Sequence, residues 1–188
     1  MKWFVILIIF LKSATVFAQS NKLISINNFD YNYLNHLIHE EINSIRFNSN
    51  IGELDKNEVA KNASQNHANY LSKLRKLTHY QKNTKNKTVT DRIDNYTDKF
   101  IYAAGENIAQ SYIFMPSFYT NNKGHRVTSS DSTYEDLAET IVGIWVNSTP
   151  HYKNIIRPEY ELSGISSIIL PDQLMVIVVQ VFIKLKRD

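Results

Sequence analysis

Leu174-Met175-Val176-Ile177-Val178-Val179-Gln180-Val181-Phe182-Ile183 carries nine apolar side chains in ten positions. A strand with one wet face alternates apolar and polar residues; this run does not, so both its faces must be covered. Pro171-Asp172-Gln173 supplies a turn before it, and residues 164–170 form a second apolar run, which together read as a β-hairpin. Upstream, residues 103–111 contain Gly105-Glu106-Asn107 and read as an extended segment entering the core. Helices flank these strands. Asp30 caps a helix whose Leu34, Leu37, Ile38, Ile42 and Ile45 follow the 3.6-residue period and which ends near Phe47. A second helix over 57–76 turns Val59, Ala63, His67, Tyr70, Leu71 and Leu74 inward. A short helix is expected at 91–96. Ser132 and Glu135 make a capping-box pattern, opening a helix with Leu137, Ile141, Ile144 and Trp145 on one face. Helices before and between strands, with a doubly buried strand among them, predict an α+β fold. The expected architecture is a three-layer α-β-α sandwich with a central, mainly antiparallel sheet.

The 188 residues begin with the layout of a secretory signal. Met1-Lys2 is a basic start, Trp3 to Leu11 is unbroken apolar sequence, and Val16-Phe17-Ala18 offers small residues to a signal peptidase. The run is shorter than the roughly 20 residues of a membrane-spanning helix. The expectation is therefore a signal peptide over 1–18, cleaved after Ala18, a linker over 19–29, and one domain over 30–188. No later stretch is long enough to span a bilayer, so the mature chain is expected outside the cytoplasm, secreted or periplasmic. Removing Lys2 and Lys12 from the 21 basic side chains leaves 19 against 18 acidic ones. The remaining basic groups are scattered, without the concentrated footprint of a nucleic-acid binder. There is no cysteine, which excludes disulfides, thiolate metal sites and thiol nucleophiles. Residues 112–131 are polar and irregular with an aromatic cluster of Tyr112, Phe114, Met115, Phe118 and Tyr119. They read as an insertion, for packing on the core or for display to a partner.

Histidine is the residue type here with chemistry to offer near neutral pH. His36 and His39 precede Glu40, but His-Leu-Ile-His-Glu matches neither form of the metallopeptidase motif, so solvent-facing or capping roles are expected. His67, on the apolar face of the second helix, reads as a hydrogen-bonded core residue. His125 lies in the insertion without an identifiable partner. His79, in Leu77-Thr78-His79, and His151, in Thr149-Pro150-His151-Tyr152, stand on either side of Glu106 in the sequence.

Taken in order, these segments resemble a known family. Ile42-Asn43 with Arg46, His67-Ala68, Leu77-Thr78-His79, Gly105-Glu106-Asn107-Ile108-Ala109, Trp145 with His151-Tyr152, Asn154-Ile155 and Gly164-Ile165 are similar to the CAP superfamily. This is the group of cysteine-rich secretory proteins, antigen 5 and pathogenesis-related 1 proteins, which has cysteine-free bacterial SCP-like members. The resemblance runs from about residue 34 to Phe182. It implies an α-β-α sandwich with a large cleft faced by two His and two Glu. His79 matches the first His, Glu106 the first Glu and His151 the second His. Where the second Glu is expected this chain has Asn147-Ser148.

Two neutral imidazoles and a carboxylate can hold a divalent cation such as Zn²⁺, act as a general acid/base set, or form a polar cleft in which Glu orients His. They can also be a satisfied network that only fixes the fold. Ser148, three residues before His151, borders the cleft, and turn or helix-end hydrogen bonding is its more economical role. The sequence reading favours non-enzymatic binding of a small ligand or extracellular partner through His79, Glu106, His151 and Ser148. His79 and His151 are the candidate ligands of a divalent metal. The alternative is a metal-dependent hydrolase acting on an extracellular polymer or peptide.

Overall fold

The computed structural model describes residues 21–114, 117–120, 126–129 and 132–186, with side chains at 117–120 and 126–129 left aside. The expected signal peptide, His125 and Met115 lie outside the described residues, as do the side chains of Phe118 and Tyr119. Among the described residues no helix is long and apolar enough to cross a membrane.

Among the described residues, five helices and six strands follow in order: α1 (Tyr31–Asn48), β1 (Asp55–Lys56), α2 (Glu58–Leu74), α3 (Val89–Asp94), β2 (Ile101–Tyr112), β3 (Ser117–Thr120), β4 (Arg126–Ser129), α4 (Tyr134–Val146), α5 (Thr149–Ile155), β5 (Leu162–Leu170) and β6 (Met175–Leu185). The main sheet has the order β1-β5-β6-β2. It is antiparallel except that β1 runs parallel to β5. The apolar run over 174–183 becomes β6, paired on both sides. Its side chains alternate between two cores, as the strand's period of two requires. Val176, Val178 and Phe182 join Leu34, Ile38 and Ile42 of α1 and Leu137, Ile141 and Trp145 of α4. Ile177, Val179, Val181 and Ile183 join Ala60, Ala63, Ala68 and Leu71 of α2 and Ile93 of α3. This is the expected sandwich, with β6 covered on both faces.

Local chemistry explains the helix ends. The Asp30 side chain accepts from the Tyr33 amide at the start of α1. The Asn57 side chain accepts from the Ala60 amide at the start of α2. The capping box of α4 is Thr133 with Asp136 rather than Ser132 with Glu135. Ser132 is taken by the N-terminal segment: its carbonyl accepts from the Ile24 amide, and the Tyr134 amide donates to the Lys22 carbonyl. Glu135, freed from capping, accepts from the Tyr33 hydroxyl and the Lys22 amide. Residues 22–29, expected as a linker, are thus bonded to the domain, with Ile24 and Phe29 buried. Ile144 on α4 and Leu74 on α2, expected inward, are exposed. Each lies at the rim of a stripe already filled by Ile141 and Trp145, or by Leu71 and Ala68.

The stretch expected to be irregular contains regular structure. β2 runs on to Tyr112, and β3 and β4 form a two-stranded antiparallel sheet of their own. Within it Ile113 is buried, Phe114 packs against the core and Tyr112 is exposed.

Buried Arg46 fixes the chain that follows α5. Its Nε donates to the Gly52 carbonyl at 2.7 Å, Nη1 to those of Ile155 and Arg157 at 2.8 and 3.0 Å, and Nη2 to that of Tyr160 at 2.9 Å. A guanidinium with its fork of donors suits this task better than an ammonium.

Candidate functional site

Glu106 lies on β2 with its side chain 3% exposed, so a lone charge there would be costly. Two partners meet it. His79 Nδ1 donates to Oε1 at 2.9 Å, and Arg92 Nη2 donates to Oε2 at 2.5 Å. Arg92, on α3, is fully buried. It also donates to the carbonyls of Asn86, His79 and Lys87 at 3.1, 3.4 and 3.5 Å, so it ties the loop that carries His79 to the carboxylate. The Thr88–Asp91 capping box starts α3 and places Arg92 at this depth.

His67 closes the cluster from α2. Its Nε2 donates to the Thr78 carbonyl at 2.8 Å and its Nδ1 accepts from Gln81 Nε2 at 3.1 Å. Nε2 is also 3.7 Å from Glu106 Oε1. Burial holds its pKa below the ordinary histidine value, outweighing the nearby Glu106 charge. A buried imidazole with one donor and one acceptor satisfied is neutral, as expected of a core histidine.

His151 arrives from α5. Its ring centroid is 6.5 Å from that of His79, with the planes at 51°. The His151 carbonyl accepts from Asn107 Nδ2 at 3.1 Å, and Asn154 Nδ2 donates to Asn107 Oδ1 at 2.9 Å and to the Glu106 carbonyl at 3.3 Å. Side-chain amides thus register α5 against β2 and hold His151 beside His79. Tyr160 adds a further bond from its hydroxyl to the Ala104 carbonyl at 3.0 Å. Gly105 makes room for it, since a Cβ there would lie 2.3 Å from the Tyr160 oxygen. His151 is half-buried, and burial, followed by the His79 charge, lowers its pKa.

The structure therefore brings His79, Glu106 and His151 together. Ser148 is the N-cap of α5 with no side-chain cap bond; its carbonyl accepts from the Tyr152 amide. Thr88, Val89 and Tyr80 line a shallow pocket of about 220 Å³ beside His79 and Glu106. His36 and His39 belong elsewhere. His36 is exposed near Lys56 and Glu40. His39, expected at the solvent, is 5% exposed, because it sits one position round α1 from Ile38 and faces Ser163 at 3.4 Å.

Sequence reasoning missed Arg92. Its one local signal is position: it adjoins Ile93, the buried apolar anchor of a six-residue helix. An arginine there must bury its stem, and its charge then needs a carboxylate.

A metal can be weighed against these groups. Because His79 Nδ1 is bound to Glu106, its Nε2 keeps the lone pair, the arrangement by which carboxylates orient metal-ligating histidines. Among the described residues, His151 Nδ1 is a buried nitrogen without a protein partner. Among them, too, no group of three or more His, Cys, Asp or Glu side chains could hold a metal ion. Two imidazoles alone are an incomplete donor set for such an ion.

Comparison with known proteins agrees with this architecture. No curated protein matches the chain. Among solved structures, an outer surface protein of Borrelia burgdorferi is similar with a TM-score of 0.64 at 18% identity, over 89% of this chain and 100% of that one. An extracellular protein containing an SCP domain from Bacillus anthracis has a TM-score of 0.58 at 19% identity, over 82% of this chain and 41% of that one. A cysteine-rich secretory protein from Staphylococcus aureus has a TM-score of 0.53 at 13% identity, over 82% of this chain and 39% of that one. At such identities the likeness concerns the fold. The family model for the cysteine-rich secretory protein family, CAP, matches residues 39–182, so this chain belongs to the CAP family.

Proposed function

We propose that this is an exported binding protein that takes a small ligand or extracellular partner at the His79–His151 face without performing chemistry on it. One observation carries this reading: both oxygens of Glu106 are committed, to Arg92 and to His79, and the side chain is 3% exposed. A carboxylate so held orients His79 and is not itself free to take a proton from a substrate. Beside it stand two imidazoles, His79 held through Nδ1 by Glu106 and His151 at a ring-to-ring distance of 6.5 Å.

Those imidazoles would hold a divalent metal such as Zn²⁺ through His79 Nε2 and His151, the bound ion supplying a Lewis-acid anchor for the ligand. With only two protein ligands the affinity is weak, because water or the bound ligand must fill the remaining positions. Calorimetric titration of Zn²⁺ into the mature chain should give a heat at about pH 7.5 that is absent in His79→Ala/His151→Ala. Equal titrations in the two proteins would remove the metal from this proposal.

Export is supported by the signal-like pattern of residues 1–18, and two of the similar structures are described as an outer surface protein and an extracellular protein. N-terminal sequencing of the protein recovered outside the cell should begin at Gln19.

A further inference from the structure

His79, Tyr80, Thr88, Val89 and Glu106 enclose a space of about 220 Å³, enough for a single ring, since cavities of about 150 Å³ accept benzene. Its wall is mainly apolar, and most polar side-chain atoms in it are spent. Glu106 gives Oε1 to His79 and Oε2 to Arg92. Arg92 is a buried cation against a buried carboxylate, so the floor offers an unpaired charge to neither an anion nor a cation. The Thr88 hydroxyl donates to Asp91 Oδ2 at 2.7 Å and accepts from the Asp91 amide at 3.2 Å, which leaves its methyl group for the space. Val89 has no polar side-chain atom. Among the described residues, the unbonded side-chain polar atoms of this wall are His79 Nε2 and the Tyr80 hydroxyl.

These two are held differently. His79 is oriented: Nδ1 donates to Glu106 at 2.9 Å, and the backbone carbonyl accepts from Arg92 at 3.4 Å. Its Nε2 is therefore an acceptor at a set place. Tyr80 is 61% exposed and tied through its backbone amide to Thr78 Oγ1 at 3.1 Å. Its ring is the large apolar surface of the pocket, free to turn onto a guest. A fitting guest is thus a neutral ring with one O–H. A phenol suits best: its ring packs edge-on or offset against Tyr80. Its hydroxyl, with a pKa of about 10, is a stronger donor than that of an aliphatic alcohol.

Taking the binding reading as given, we propose that this pocket receives a neutral phenol group, carried by a free small molecule or by a tyrosyl side chain. The phenol O–H donates to His79 Nε2, and the ring lies between Tyr80 and Val89. A carboxylate is disfavoured there, because it would stand beside the Glu106 charge.

NMR titration of the metal-free mature chain at about pH 8, above the ordinary imidazole range, with p-cresol, toluene and N-acetyltyrosinamide tests it. Either phenol should shift the amides of Tyr80, Thr88 and Val89, and the tighter of the two identifies the source of the group. Toluene, the same ring without the hydroxyl, should bind at least about threefold more weakly than p-cresol, the worth of one hydrogen bond. His79→Phe, which keeps a ring but no acceptor, should erase that preference. Tyr80→Ala, at an exposed position, should weaken p-cresol and toluene alike by about threefold or more. Absence of shifts with both phenols, toluene binding as tightly as p-cresol, or a preference that survives in His79→Phe would each overturn the proposal. The Zn²⁺ titration turns on His79 and His151 and not on Tyr80, so a failure to bind phenols would leave the wider binding reading standing.

Discussion

Arg92 and Glu106 show how much one residue pair decides here. Each charge is buried and each is tolerable only because the other is present. Arg92→Met keeps the length of the side chain but leaves Glu106 with His79 alone. Urea unfolding should show a loss of about 3 kcal/mol or more. The double variant Arg92→Met/Glu106→Gln should be less destabilised than Arg92→Met, because the stranded charge is gone; an equal loss in both would show that the packing of Arg92 dominates. Glu106 is legible in the sequence because Gly-Glu-Asn sits between apolar residues on a strand. Arg92 is not, since its role depends on a partner 14 residues away on another element. Asn107 and Asn154 are legible only as motif letters; that they bond to one another, and so seat His151, emerges when α5 meets β2.

At the scale of elements, the α1–α4 contact holds a second electrostatic feature. Burial, followed by repulsion from Glu139 on α4, pushes the pKa of Glu41 up to about 7 from its ordinary 4.5. The folded state therefore binds this proton more tightly than the unfolded state does. Ionisation opposes folding, so this site costs nothing below its ordinary value of 4.5, and stability falls as pH rises toward about 7, levelling off above it. The partial exposure of Glu41 limits the loss to at most about 3 kcal/mol. Glu41→Gln should therefore be more stable than wild type at about pH 8 and nearly equal to it at about pH 4; a gap independent of pH would show that the carboxyl is not strained. Periodicity places α1, α2 and α4 within a few residues because amphipathic stripes and caps are local properties. The expected cap at Ser132 fails through a non-local cause, the pairing of Ser132 with Ile24.

For the whole molecule, the separateness of the β3–β4 sheet makes a clear expectation. Replacing residues 117–129 with a short Gly-Ser linker should leave the far-UV dichroism of the sandwich in place and change stability by less than about 1 kcal/mol, since loop length enters only logarithmically. Collapse of the fold on that replacement would place the hairpin in the core. Zn²⁺ titration of the same variant should be unchanged, because His79, Glu106 and His151 stand on the loop after α2, on β2 and on α5. The sequence by itself determined that β6 is covered on both faces and that helices lie on either side of the sheet, because hydrophobic period survives in one dimension, whereas the set of His79, Glu106 and His151 came from the resemblance to the CAP superfamily. Only the tertiary structure decided that Glu106 is locked by Arg92, that His39 is buried against Ser163, and that Asn107 and Asn154 seat His151 beside His79. The physical reason is common to all three: burial and pairing of charges are properties of contacts between distant segments, and they exist only once packing has chosen which side chains lose their water.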